Sequence, residues 1–387
     1  MAEQATTANG TTARNATLRE LAALLEGQQN RKLDVVLAAS ALTAQDANLI
    51  IQGLDPVIDK TGVTDANGTY RPTAVADEGI ADKLGIPVAY LRKMRGQLPH
   101  LYDSNVQGWL ERDPGRKFLL RAFRGVEGAD GVPGSGVARA VLSDSYKVID
   151  NLDLLTAALD GVRATGHCVQ IATCDLTDRR MYVRVKAEGF AIEARRLLAG
   201  YRSPFSGKSA EELPLVFAGF KISNSEVGAG AFTLTPCAEF EVCSNGLTIT
   251  QDAMKSIHLG TKQDEGVVRW SDTTQRKMLE LITARTADAV ATFLSQDYLA
   301  SKIRDIEEAA GQPVSDPAAT VEAVTKQLSI PSETRRTILD HFIKGGQATA
   351  GGVMHAVTSA AQTLTDADAA HNLEAQALPA LALAAKA

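Results

Sequence analysis

Aromatic side chains make up only 5% of the 387 residues, and there are four cysteines. Four thiols in so long a chain cannot staple a disulfide scaffold, so a reducing cytoplasm is the expected compartment. No stretch approaches the roughly 18 consecutive apolar residues of a membrane span, and the Ala- and Leu-rich run from Ala375 to Ala387 is too short, so no membrane partner is expected. The N-terminal residues are polar and hold no apolar segment of the kind a secretory leader needs. A basic excess is missing too. Lys and Arg number 40 against 46 Asp and Glu, a formal charge of −6, which argues against a generally basic nucleic-acid coat protein.

Catalytic signatures are equally scarce. The sequence has no P-loop, dinucleotide fingerprint, nucleophile elbow or His-Glu-x-x-His motif. Five residues separate Cys168 from Cys174, and five separate Cys237 from Cys243, where a zinc knuckle uses two. The six histidines are scattered. No cofactor, metal or catalytic residue is therefore assigned, and buried cysteines on strands are the ordinary reading.

What is present is a normal globular composition, 45% hydrophobic and 22% charged. Residues 1–17 lack large apolar side chains and are expected to form a disordered arm. Residues 18–110 read as mainly helical, with Leu18, Leu21, Leu24 and Leu25 at helical spacing. Asp77 to Arg95 reads as helix, Gly-Ile-Pro turn, helix. Such a unit also resembles a helix-turn-helix DNA reader, although an αα-hairpin explains it as well.

Residues 111–270 change character. Lys117 to Arg124, Val137 to Leu142, Cys168 to Cys174, Arg180 to Lys186, Leu215 to Ser223, Phe232 to Leu234 and Ala238 to Cys243 are short, β-branched or alternating, and bounded by turn formers. Met181, Val183 and Val185 alternate with Tyr182, Arg184 and Lys186, as in a strand with one wet face. Asn151 to Val162 interrupts them as a helix. Residues 271–387 read as helical, with a break at Gly311 to Pro317. The expected fold class is α+β: a central antiparallel strand-rich core flanked by an N-terminal helical region and C-terminal helices.

Charge is distributed unevenly along these segments. Residues 111–221 carry 17 basic and 14 acidic side chains, whereas 1–110, 222–270 and 271–387 are each net acidic. Within the positive segment, Arg179, Arg180, Arg184, Lys186, Arg195, Arg196, Arg202 and Lys208 are interleaved with Tyr182, Phe190, Tyr201 and Phe205. Phosphates need cations and unpaired bases need flat π faces, so this stretch is the candidate nucleic-acid surface, with single-stranded DNA as the favoured partner. The bland alternative is a solvated strand face. Arg139 and Lys147 flank the turn Ser143-Asp144-Ser145, which either presents both cations to a phosphate or closes a hairpin. Asp144, Glu226, Glu239 and Glu241 are the carboxylates a metal-dependent enzyme acting on nucleotides or nucleic acid would use. Glu239 and Glu241 share a strand face. A host-interaction or assembly protein using the acidic C-terminal helices is a third reading.

Several phrases occur together in order. Leu84-Gly85-Ile86-Pro87, Tyr90-Leu91-Arg92-Lys93-Met94 and Asn105-Val106-Gln107-Gly108-Trp109-Leu110 come first. Arg121-Ala122-Phe123-Arg124, then Ala138 to Lys147 and Ile149-Asp150-Asn151, follow. Ile222 to Gly228 and Val242 to Leu247 complete the set. Together they resemble a phage- and plasmid-borne family known as domain of unknown function 932, over residues 75 to about 260. The resemblance implies a phage, prophage or plasmid setting, and hence a host cytoplasm, and brings no catalytic residues. The order of a strand-rich core and then helices is also similar in outline to the annealing proteins of phage recombination, which work as oligomers. The expectation is a non-enzymatic, homo-oligomeric DNA-transaction protein.

Overall fold

The computed structural model describes residues 11–59, 62–125, 134–242, 245–256, 266–267 and 272–387. Strand β1 (Ala13–Ala16) leads into helix α1 (Leu18–Arg31). Thr17 starts the helix through a capping box: its hydroxyl accepts the Glu20 N–H, and the Glu20 carboxylate accepts the Thr17 N–H at 2.8 Å. The expected arm at 1–17 is thus ordered from residue 13 onward, and residues 1–10 lie outside the described residues. Arg14 and the backbone of Asn15 both bind Asp175, which compensates for the lack of apolar side chains.

Six short strands follow: β2 (Lys32–Ala38), β3 (Leu42–Gln45), β4 (Asn48–Ile51), β5 (Val57–Asp59), β6 (Gly62–Thr64) and β7 (Gly68–Pro72). The expected helical character of 18–110 fails here. Strand β2 is buried on both faces, and a strand of that kind shows no two-residue alternation to betray it. Helices α2 (Ala74–Leu84), α3 (Val88–Gln97) and α4 (Pro99–Arg112) come next. Gly85, at φ 70°, ends α2 in the left-handed conformation.

The middle of the chain supplies β8 (Lys117–Phe123), β9 (Gly136–Ser143), α5 (Asn151–Ala164), β10 (Gln170–Leu176), β11 (Met181–Glu193), β12 (Leu215–Asn224), β13 (Phe232–Phe240), β14 (Asn245–Thr248), β15 (Met254–Ser256) and β16 (Gly266–Val267). The two strands expected at 232–243 are one, since Pro236 pairs opposite Phe220 without breaking β13. The last third is α6 (Asp272–Phe293), α7 (Gln296–Ala310), α8 (Pro317–Gln327), α9 (Ser332–Gly345), α10 (Ala350–Ala361), α11 (Ala367–Ala375) and α12 (Ala377–Ala384).

The class is α+β, and the strands form two large sheets. One runs β1-β10-β11-β12-β13-β14, with β15 also on β13, and is antiparallel. The other runs β16-β2-β8-β9-β7-β4-β3, antiparallel except for β7 beside β9. The second sheet mixes strands from before and after residue 110, so a boundary there cuts through it. Its core is closed by α2, α3 and α4; the larger core joins the first sheet to α1, α5 and the C-terminal helices.

The outward face expected for Tyr182 and Arg184 is covered. Helix α11 lies on it, with the Tyr182 hydroxyl donating to Asp368 at 2.8 Å and Arg184 to Glu374 at 2.6 Å, and His371 stacked on Tyr182. A strand face bearing Tyr and Arg looks wet in sequence and becomes dry once acids on a later helix neutralise it.

Candidate anion-binding cleft

The two sheets are fastened by a buried ionic joint. Arg121 on β8 is fully buried: Nε donates to Asp34 at 2.6 Å, one Nη to Asp150 at 2.8 Å and the other to the Glu226 carbonyl at 2.8 Å. Lys32 on β2 binds the second oxygen of Asp150. Arg139 on β9 binds the Glu226 carboxylate at 2.7 Å, and that carboxylate also accepts the Asn151 N–H at the start of α5. Asn224 donates to the Asn151 side chain at 2.9 Å. Three cations thus face three carboxylates. Burial opposes charge on Arg121, but Asp34, Asp150 and Glu226 outweigh it and raise its pKa. Burial likewise opposes charge on Asp150, yet Arg121 and Lys32 hold its carboxyl below the usual range. Most of these residues lie in the ordered phrases noted in the sequence, so those phrases encode a structural joint.

A cleft of about 830 Å³ opens beside the joint. Five arginines line it: Arg31 at the end of α1, Arg71 on β7, Arg95 on α3, Arg124 just after β8, and Arg139. The one acid among the described lining residues is Asp178. Arg95 is held by Asp77 at 2.6 Å and by the Pro72 carbonyl, and Arg139 by Glu226. Arg124 donates to the Asn30 carbonyl at 3.0 Å. Phe123 carries the guanidinium of Arg31 at 5.4 Å and that of Arg139 at 4.3 Å from its ring centre, which keeps both side chains in place. Gly136 lets the floor close, since a Cβ there would lie 2.5 Å from the Tyr70 ring. Among the described residues, Arg31, Arg71 and Arg124 have no acidic side chain within ion-pair distance. Such a concentration of unneutralised, forked donors is suited to phosphate oxygens.

Of the residues expected from sequence, the cleft includes Arg139. Lys147 is half-buried and does not line it. Arg179 shares Glu78 with Arg92, at 2.7 Å, tying the β10–β11 turn to α2. Arg180 donates to the Ala229 carbonyl at 2.8 Å. Arg184 is neutralised under α11. Lys186 sits over the Phe217 ring, 3.5 Å from Glu188. Arg195 pairs with Glu193 at 2.8 Å, and Arg196 extends into solvent 3.9 Å from Glu307. Arg202 and Lys208 are exposed. Phe205 is exposed with its ring edge-on to His341, but Tyr201 is 2% exposed and stacked on His355, so it has no face for a base. The charge-rich stretch is therefore divided among several places, most with their own acids, because strand alternation and the turns between strands send neighbouring side chains apart. Two cations of the α2–α3 hairpin are engaged within the fold, Arg92 with Glu78 and Arg95 with Asp77, while Lys93 is exposed.

The carboxylates considered for a metal do not assemble. Glu226 is in the joint, Glu239 lies 3.9 Å from Arg184 beneath α11, and Glu241 follows the end of β13. Among the described residues no group of three or more His, Cys, Asp or Glu could hold a metal ion. Cys174 and Cys237 are buried, Cys168 is exposed, and Cys243 lies outside the described residues. Burial pushes the Cys174 thiol up to about 12, far from a reactive thiolate.

A second polar cluster anchors α11. Asp175 accepts from Arg14 at 2.6 Å and faces His371 at 2.8 Å, and these partners hold its carboxyl at about 2 in spite of burial. No family model, curated protein or solved structure matches this chain.

Proposed function

We propose that the protein binds nucleic acid through the phosphate backbone, with single-stranded DNA as its partner and the arginine cleft as the contact. The observation that carries this reading is the convergence of Arg31, Arg71 and Arg124, without acidic partners among the described residues, with Arg95 and Arg139 on one cavity. Among the described residues, Arg95 and Arg139 are matched by Asp77 and Glu226 behind the cleft, and the three remaining guanidinia against Asp178 give a local positive field in a protein whose total charge is −6. A flexible single strand can bend its phosphates into a concavity, whereas a duplex, stiff over about 150 base pairs, bridges it. The motifs similar to a phage- and plasmid-borne family favour DNA over other polyanions.

The test is fluorescence anisotropy of a labelled single-stranded oligonucleotide at increasing salt. The reading expects log affinity to fall linearly with log salt concentration. It further expects Arg71→Glu, at an exposed position, to weaken binding without loss of fold. Salt-insensitive binding, or none, would overturn it.

A further inference from the structure

We infer that the cleft recognises the phosphodiester chain and is blind to the bases; this rests on the proposed nucleic-acid binding and narrows its ligand. A single-strand binder that reads or stacks bases presents flat rings beside its cations. Among the described residues lining this cleft, the one aromatic ring is Phe123, which is 3% exposed and carries two guanidinia. Tyr70, under the floor, is buried too, with its hydroxyl donating to the Ala66 carbonyl. The exposed aromatics among the described residues are not part of the lining: Tyr90 on α3, Trp109 on α4 against Arg112, and Phe205 against His341.

What meets the ligand is therefore guanidinium. Arginine forks match two phosphate oxygens each and carry no sequence information when they bind a backbone. The chemical class that fits is a linear chain of phosphates, whatever is attached to it.

The full-length protein is titrated with a labelled single-stranded oligonucleotide, with a chain of the same length made of abasic sugar phosphates, and with inorganic polyphosphate as competitor. The expected result is affinity for the two labelled chains agreeing to about twofold with the same salt slope, and displacement of both by polyphosphate. Weakening of about tenfold or more for the abasic chain alone, the worth of a stacked base, overturns this inference and leaves the nucleic-acid reading standing. Failure of both chains to bind overturns the two together.

Discussion

The joint beneath Arg121 and the cleft around Arg71 use the same side chain in opposite electrical settings. In the joint, three cations meet three carboxylates, and Arg121 is fully buried between the sheets. In the cleft, among the described residues, Arg31, Arg71 and Arg124 have no acid of their own, Arg95 and Arg139 are paired from behind, and Asp178 is the one lining acid. Arg139 belongs to both, with Glu226 behind it and the cleft in front. The difference shows that an arginine's neighbours decide its role. A paired, buried guanidinium holds elements together, and one left without an acid has binding capacity to spare.

The strongest way to break this comparison is to empty the joint. Arg121→Met leaves Asp34 and Asp150 buried without their main partner and is expected to cost about 3–5 kcal/mol in denaturant unfolding. Molecules that remain folded should bind oligonucleotide with wild-type salt dependence. A loss below about 1 kcal/mol would mean that the joint does not fasten the sheets.

Acid should act on the same place. The Asp150 carboxyl is lower in the folded state than the ordinary value of 3.8, so between the two values the unfolded chain holds the extra proton. Its contribution is complete above pH 3.8 and is lost as pH falls toward about 2, a change of about 2 kcal/mol. Asp150→Asn should be less stable at neutral pH and show a flatter acid limb. An unchanged acid limb in that variant would remove Asp150 from the account.

The legibility of the sequence divides along the same line. Strands such as β8 and β12 announce themselves by short β-branched runs between turn formers, and the C-terminal helices by their spacing. Strand β2 does not, because burial on both faces erases its alternation. The joint was visible as ordered phrases around Arg121, Asp150 and Glu226, although nothing local says that they meet. The cleft arginines come from positions 31 to 139, on four separate elements and the residue after β8, so no window of sequence is rich in them. Counting charge along the chain instead points to Arg179 through Lys208, where Glu78, Glu374, Glu188, Glu193 and Glu307 stand beside five of the cations.

That contrast yields the smallest expected effect. Changing Arg195, Arg196, Arg202 and Lys208 together to Ala should alter oligonucleotide affinity by no more than about twofold, since exposed and partly paired charges outside the cleft lining add little. A large loss would return the binding surface to that stretch.

The central claim is tested most directly by the salt slope of Arg31→Ala, Arg71→Ala and Arg124→Ala combined, measured beside the wild type on one single-stranded oligonucleotide. Three exposed or half-buried arginines without acidic partners among the described residues should be removable at a stability cost within about 1 kcal/mol, so the variant stays folded. Each lost phosphate contact on a single strand takes about 0.7 from the slope of log affinity against log salt. The account predicts a slope shallower by about 2 in the triple variant. A slope equal to that of the wild type would contradict it.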